Sequence, residues 1–144
     1  MISKVRNYII NSINAIDSDL KQIDQFYESD IPEGLSNGSY FIDYEISTIE
    51  QSQQMITNNV ALTVKFYFDA YRDRTVAYDS AMDKVNLISL YAANTQNIEA
   101  YSSTDETKII NVKPISQTSE ILTDNSRQIV ITASFEMIIN QTTC

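Results

Sequence analysis

With no histidine anywhere in its 144 residues, the chain lacks the usual general base and the commonest metal ligand. A Ser-His-Asp triad is excluded. Cys144 is the only thiol, so a Cys-His nucleophile, a Cys/His zinc site and an internal disulfide are excluded too. Nothing therefore points to an oxidising compartment. Glycine is nearly as scarce: Gly34 and Gly38 are the only two. Neither is followed by Lys-Ser/Thr or joins a strand to a helix, so phosphate-loop and dinucleotide readings fail. Long apolar runs are also missing, and none approaches the roughly 18 residues of a membrane-crossing helix. The opening Met1-Ile2-Ser3-Lys4-Val5-Arg6-Asn7 has the charge of a signal-peptide start, but Asn11, Ser12 and Asn14 interrupt the apolar stretch that a signal peptide needs next. The expectation is a soluble, intracellular chain with no membrane partner. Basic residues are few, 10 against 19 acidic, for a net charge of −9. That balance opposes binding to phosphate surfaces, whether nucleic acid or anionic lipid. It serves solubility, and it also suits a surface that must not stick to nearby nucleic acid.

What is present reads as one α+β domain spanning residues 1–144, a common single-domain length. Hydrophobic residues make up 43%, a globular level. Ile2, Val5, Ile9, Ile13 and Ile16 recur at helical spacing, so residues 2–16 form an amphipathic helix, continuing raggedly toward Tyr27. Residues 29–39 are a loop holding both glycines and a proline, with Asn37-Gly38 as turn chemistry. Two strands come next, Tyr40–Ile46 and Val60–Ala70, each alternating apolar and wetter positions. The polar stretch between them has Asn58-Asn59 as its turn. Ala77, Ala81, Val85, Ile88 and Ala92 mark a second helix over Arg74–Asn94, capped by Asp73 or Thr75 and small enough on one face to pack closely on a sheet. Residues 95–107 read as loop, Lys108–Lys113 as a strand and Ile129–Ile139 as the final strand. Pro114 interrupts pairing or marks an edge, which makes residues 116–128 a candidate hairpin arm turning at Thr123-Asp124-Asn125-Ser126. The order α-β-β-α-β-β predicts a mostly antiparallel sheet of about four strands packed with two main helices, on one face or both.

Carboxylates are the remaining chemical resource. Asp17 and Asp19 begin like a calcium loop, but Lys21 and Ile23 fill the next alternating positions and no glycine comes after them. Asp43 and Glu45 share one side of a strand with Lys65 across from them, which is the pattern of a solvated charged face; with Asp69 they are the candidates for an acidic lumen or surface. Glu106-Thr107-Lys108 imitates the Glu-x-Lys of metal-dependent nucleases but lies after the second helix, whereas that core carries its acids on strands before the helix. No catalytic, cofactor or metal-binding residue is assigned, and the chain reads as a non-enzyme. The outer strand faces carry unexplained apolar residues: Phe41, Tyr67, Val130 and Ile138. Either a second helical layer covers them or they are an interface.

In length, acidity and element order, the helix from Ile2, the Tyr40–Ile46 and Val60–Ala70 strands, the Arg74–Asn94 helix and the Ile129–Ile139 strand, the chain resembles tail terminator (tail completion) proteins of long-tailed bacteriophages. The resemblance covers most of the chain, is closest over Tyr40–Asn94 and rests on no diagnostic motif. It implies a homo-oligomer, a hexameric ring, that caps the tail tube in the virion and joins it to the head-proximal connector after assembly in the host cytoplasm. The tail tube protein and the connector would be its partners, and DNA would pass through unheld. Residues 29–39 and 116–128 are candidates for those contacts. Another head-tail joining or head-completion protein fits the same pattern. From a different class, an acidic DNA-mimic inhibitor fits the charge, although its carboxylates would need regular spacing and here they cluster loosely only in 17–33.

Overall fold

The computed structural model describes residues 2–23, 38–51, 55–69, 74–102, 107–122 and 128–142. In chain order these form α1 (Ile2–Ile16), β1 (Lys21–Gln22), β2 (Ser39–Gln51), β3 (Met55–Asp69), α2 (Arg74–Ala93), α3 (Thr95–Ser102), β4 (Thr107–Leu122) and β5 (Gln128–Thr142). The five strands make one sheet in the order β1-β2-β3-β5-β4. Only β1 runs parallel to its neighbour; β2, β3, β5 and β4 alternate in direction.

The alternation in β3 and β5 explains the core. Val60, Leu62, Val64, Phe66 and Phe68 stand opposite Met137, Phe135, Ala133, Ile131 and Ile129 on one face, and all are buried. Val5, Tyr8, Ile9 and Ile13 of α1, Ala81, Val85, Ile88 and Ala92 of α2, and Ile98 of α3 close over that face. The alanines on α2 let its backbone approach the sheet, as their spacing predicts. Tyr8 ties the helical layer together: its hydroxyl donates to the Ala92 carbonyl at 2.6 Å, satisfying an acceptor that the end of α2 leaves without a helical partner. Its ring meets Tyr101 of α3 at 5.2 Å, and the Tyr101 hydroxyl donates to the Lys4 carbonyl at 3.2 Å.

The α+β class and mostly antiparallel sheet agree with the expectation, but the sheet has five strands and the described helices are three. The first helix stops at Ile16 rather than reaching toward Tyr27, because Asp17 turns the chain, its carboxylate accepting from the Asp19 amide at 3.0 Å. The short β1 comes next. Residues 95–102, read as loop, form α3: the Asn94 side chain caps it, accepting from the Gln96 and Asn97 amides at 2.9 and 3.3 Å. Thr75 lies inside α2, not at its cap; Asp73 lies outside the described residues. Asn58 and Asn59 are not a turn but continue β3, facing Ile139 and Ile138. Polar pairs hold that end of the sheet: Thr57 donates to the Asn140 side chain at 2.8 Å and Asn59 to Glu136 at 3.0 Å.

Of the candidate arm 116–128, the turn Thr123-Asp124-Asn125-Ser126 lies outside the described residues. β4 runs on to Leu122 and pairs with β5 down to Gln128, so 116–122 belong to the sheet. Pro114 does mark an edge, since β4 is the outermost strand, and the register slips beside it between Pro114 and Ser116. Of the 29–39 loop, residues 29–37 lie outside the described residues. Gly38 has φ +107°, a conformation L side chains rarely adopt, which accounts for glycine there.

Candidate functional site

The sheet face away from the helices is largely polar, and this is where the four apolar candidates fall. Three of them gather at one end. Tyr67 and Val130 are register partners, Phe41 packs beside them, and Ile23, just past β1, completes the cluster. Tyr67 is 0% exposed and Val130 8%. These two are covered within the chain itself, and among the described residues Ile23 is the buried side chain packed with them. Their burial needs no partner. Phe41 stays half-buried. Ile138 is set apart, half-buried and level with Asn59 near the other end of β5.

Asp43 and Glu45 are exposed on the same open face, opposite Thr63 and Ala61, with Lys65 opposite Phe41. Asp69 ends β3 opposite Gln128; its side chain is outside the described residues. The calcium-like Asp17 is engaged elsewhere. It takes a 2.6 Å ion pair from Lys84 of α2, and that hydrogen bond first, then the Asp19 amide and the lysine's charge, hold its carboxyl below the ordinary value against a burial effect of opposite sign. Among the described residues no group of three or more His, Cys, Asp or Glu side chains could hold a metal ion. Lys108 is exposed on β4, while Glu106 lies outside the described residues. No helix among them is long and apolar enough to cross a membrane.

Exposed apolar side chains lie instead on α2, at Val76, Leu87 and Leu90, at Met55 where β3 begins, and at the two long edges of the sheet, where composition did not point. On β4 the register slips at Ile109/Asn111 and at Pro114/Ser116. The extra residues, Ile110 and Ile115, are 51% and 55% exposed. A bulge leaves its additional residue out of the ladder, and the sequence signal was the broken alternation of Ile109-Ile110 and Pro114-Ile115. Leu90 of α2 joins Pro114 and Ile115 in a groove of about 480 Å³. On β2, Tyr44 and Ile46 face the helical side but lie beyond the reach of the helices and are exposed. Their alternation predicts burial; the helical layer is simply narrower than the sheet. β1 pairs with β2 only at Ser39 and Tyr40, so among the described residues no strand pairs with the outer side of β2 beyond Tyr40 or with the outer side of β4.

No protein-family model matches the chain, and no curated protein matches it. Among solved structures it is similar to a chain of the virion of a native gene transfer agent particle, with a TM-score of 0.51 and 8% identity over 92% of this chain and 91% of that one. At that identity the likeness is one of fold, and it extends over nearly the whole of both chains.

Proposed function

We propose that the chain is a structural protein of a phage-like virion, the tail terminator subunit whose homohexameric ring caps the tail tube and joins it to the head-proximal connector. The observation that carries this reading is the end-to-end fold likeness to a chain of a gene transfer agent virion. It is a likeness of whole domains rather than of a shared core. The two open sheet edges, different in composition, supply the two unlike patches that a ring of identical subunits needs. The polar open face exposes the carboxylates of Asp43 and Glu45 among the lysines Lys108 and Lys113, a mixed face without a continuous basic patch, which suits a lumen that lets DNA pass without holding it. Its work is assembly rather than catalysis, with the tail tube protein and the connector as partners.

The test is deletion of the gene in the particle that encodes it. Tails of uncontrolled length, or tails and heads that fail to join, are expected, together with the protein's presence at the neck of complete particles. Normal tails, with the protein absent from purified particles, would sink the reading.

A further inference from the structure

We propose that the outer edge of β4 is one half of a head-to-tail interface whose other half is the outer edge of β2 from a second copy of this chain. The proposal rests on the ring reading and names the surfaces that would close it.

Strand direction is the first argument. Since β2, β3, β5 and β4 alternate, a neighbouring copy set beside β4 without turning its sheet over presents its β2 antiparallel to β4. The two polar faces then continue each other, as do the two helical faces.

Charge is the second. β2 carries Asp43, Glu45 and Glu50 and no basic residue, while β4 carries Lys108, Lys113 and a single acid, Glu120. Asp43, Glu45, Lys108 and Lys113 are all exposed, and register assigns them to the same, open face. Each strand also has register slips, at Thr48/Glu50 in β2 and at Ile109/Asn111 in β4. With the bulged residues set aside, aligning Glu45 with Lys113 sets Glu50 level with Lys108. On the helical side the same alignment sets Ile46 level with Val112 and Tyr44 with Pro114. Glu120 falls level with Ser39, where β1 already occupies the edge. A two-fold pairing of β2 with β2 would oppose carboxylate to carboxylate, which is unfavourable, and one of β4 with β4 avoids lysine against lysine only in registers that set a lysine level with Glu120, while leaving Tyr44 and Ile46 uncovered. Charge and apolar surface together favour the head-to-tail arrangement, the kind that closes into a ring.

Apolar surface is the third. Tyr44 and Ile46 on one edge and Ile110, Ile115 and Leu90 on the other are exposed in the single chain, and the interface brings them together. Pro114 and the bulges are devices that discourage indiscriminate strand pairing. Here they confine main-chain pairing to short runs and leave the side chains to set the register.

The test is a charge-reversal cycle on the full chain, read by sedimentation velocity and native mass spectrometry across concentration. The wild type is expected to self-associate. Glu45→Lys and Lys113→Glu should each weaken association by about tenfold, with circular dichroism showing that both variants fold; Lys113 stands level with Glu136 of β5, so its reversal also lowers the melting temperature slightly. The double variant should regain most of the loss. An equimolar mixture of the two single variants should regain it as well, because every interface is then matched. A wild type that stays monomeric at all concentrations, or single effects that simply add in the double variant, overturns the proposal. If the chain associates but the cycle shows no coupling, this edge assignment falls and the ring reading stands. The ring reading falls separately, on particles that build normal tails without the protein.

Discussion

Replacing Gly38 with alanine tests how the start of β2 is held. Gly38 donates its amide to the Tyr67 carbonyl at 3.2 Å, and its own carbonyl accepts from the Lys21 amide at 3.1 Å. It is therefore the hinge that seats β1, and with β1 the Ile23 side chain over Tyr67 and Val130. An alanine must hold φ near +107°, a strain on the order of 1–3 kcal/mol. Its methyl would also lie 2.9 Å from Cδ2 of the buried Leu20, and such overpacking adds about 1–3 kcal/mol. Gly38→Ala should thus destabilise by about 2–6 kcal/mol, read as a lower urea midpoint at unchanged slope. Amide exchange at Lys21 and Ile23 should quicken beyond the global effect. A double-mutant cycle isolates the steric part. Leu20→Ala alone costs about 2–5 kcal/mol, but in the alanine-38 background it should cost about 1 kcal/mol less, because the new methyl enters the vacated space. The reasoning is refuted if Gly38→Ala costs under about 0.5 kcal/mol, the range of an ordinary surface change, or if the two substitutions add with exchange at Lys21 and Ile23 unaltered.

The remaining expectations concern the helical layer and the open face. Tyr8→Phe removes the hydroxyl that satisfies the Ala92 carbonyl and should cost about 1–2 kcal/mol in chemical denaturation. Burial, the main cause, pushes that hydroxyl from 10.0 up to about 12. A raised folded value stabilises fully below pH 10.0 and is lost as pH climbs toward 12, so Tyr8→Phe should flatten the alkaline limb of a stability-pH curve. Asp17 has the opposite sign: its folded carboxyl is lowered, chiefly by Lys84, so its contribution is present above 3.8 and lost as pH falls through the folded value. Asp17→Asn should cost under about 1 kcal/mol near neutrality, as for a partly exposed pair, and nothing in strong acid. Tyr67→Ala, measured on the isolated chain, should cost about 3–5 kcal/mol; a melting temperature equal to wild type would mean that its burial matters only in an assembly.

The elements most legible in the sequence were those whose patterning is strict and whose neighbours agree with it. β3 and β5 alternate without interruption over the core register, and α2 announces its sheet-facing side with alanines at helical spacing. What escaped depends on other parts of the chain. β1 is two polar residues, too short for any period, and it exists because Gly38 and Tyr40 offer hydrogen-bond partners. α3 did leave a signal, Asn94 as cap with Ile98 and Tyr101 one turn apart, but its polar composition outweighed it. The reading of Phe41, Tyr67 and Val130 as surplus apolar surface was sound as arithmetic, since a helix layer on one side does leave them over. Only the three-dimensional path reveals that Ile23 is carried across to meet them. The edge isoleucines Ile110 and Ile115 were hidden for a related reason: a bulge is visible only once a strand is aligned with its partner.

The placement of β5 between β3 and β4 also bears on how the chain is made. Of the five strands β5 is synthesised last, yet among the described residues it alone joins the β2–β3 hairpin to β4. Until it emerges from the ribosome, the inner edge of β3 stays bare, and the apolar face shared by Val60, Leu62, Val64 and Phe66 has no opposite strand. Folding cannot proceed from the first half to the second in stages; it must wait and then close pairings between residues far apart in the chain, such as Phe66 with Ile131. Such distant closures are slow, and they leave strand edges open to neighbouring nascent chains meanwhile. The supply of folded chain would then be set by the pace at which this strand threads into place.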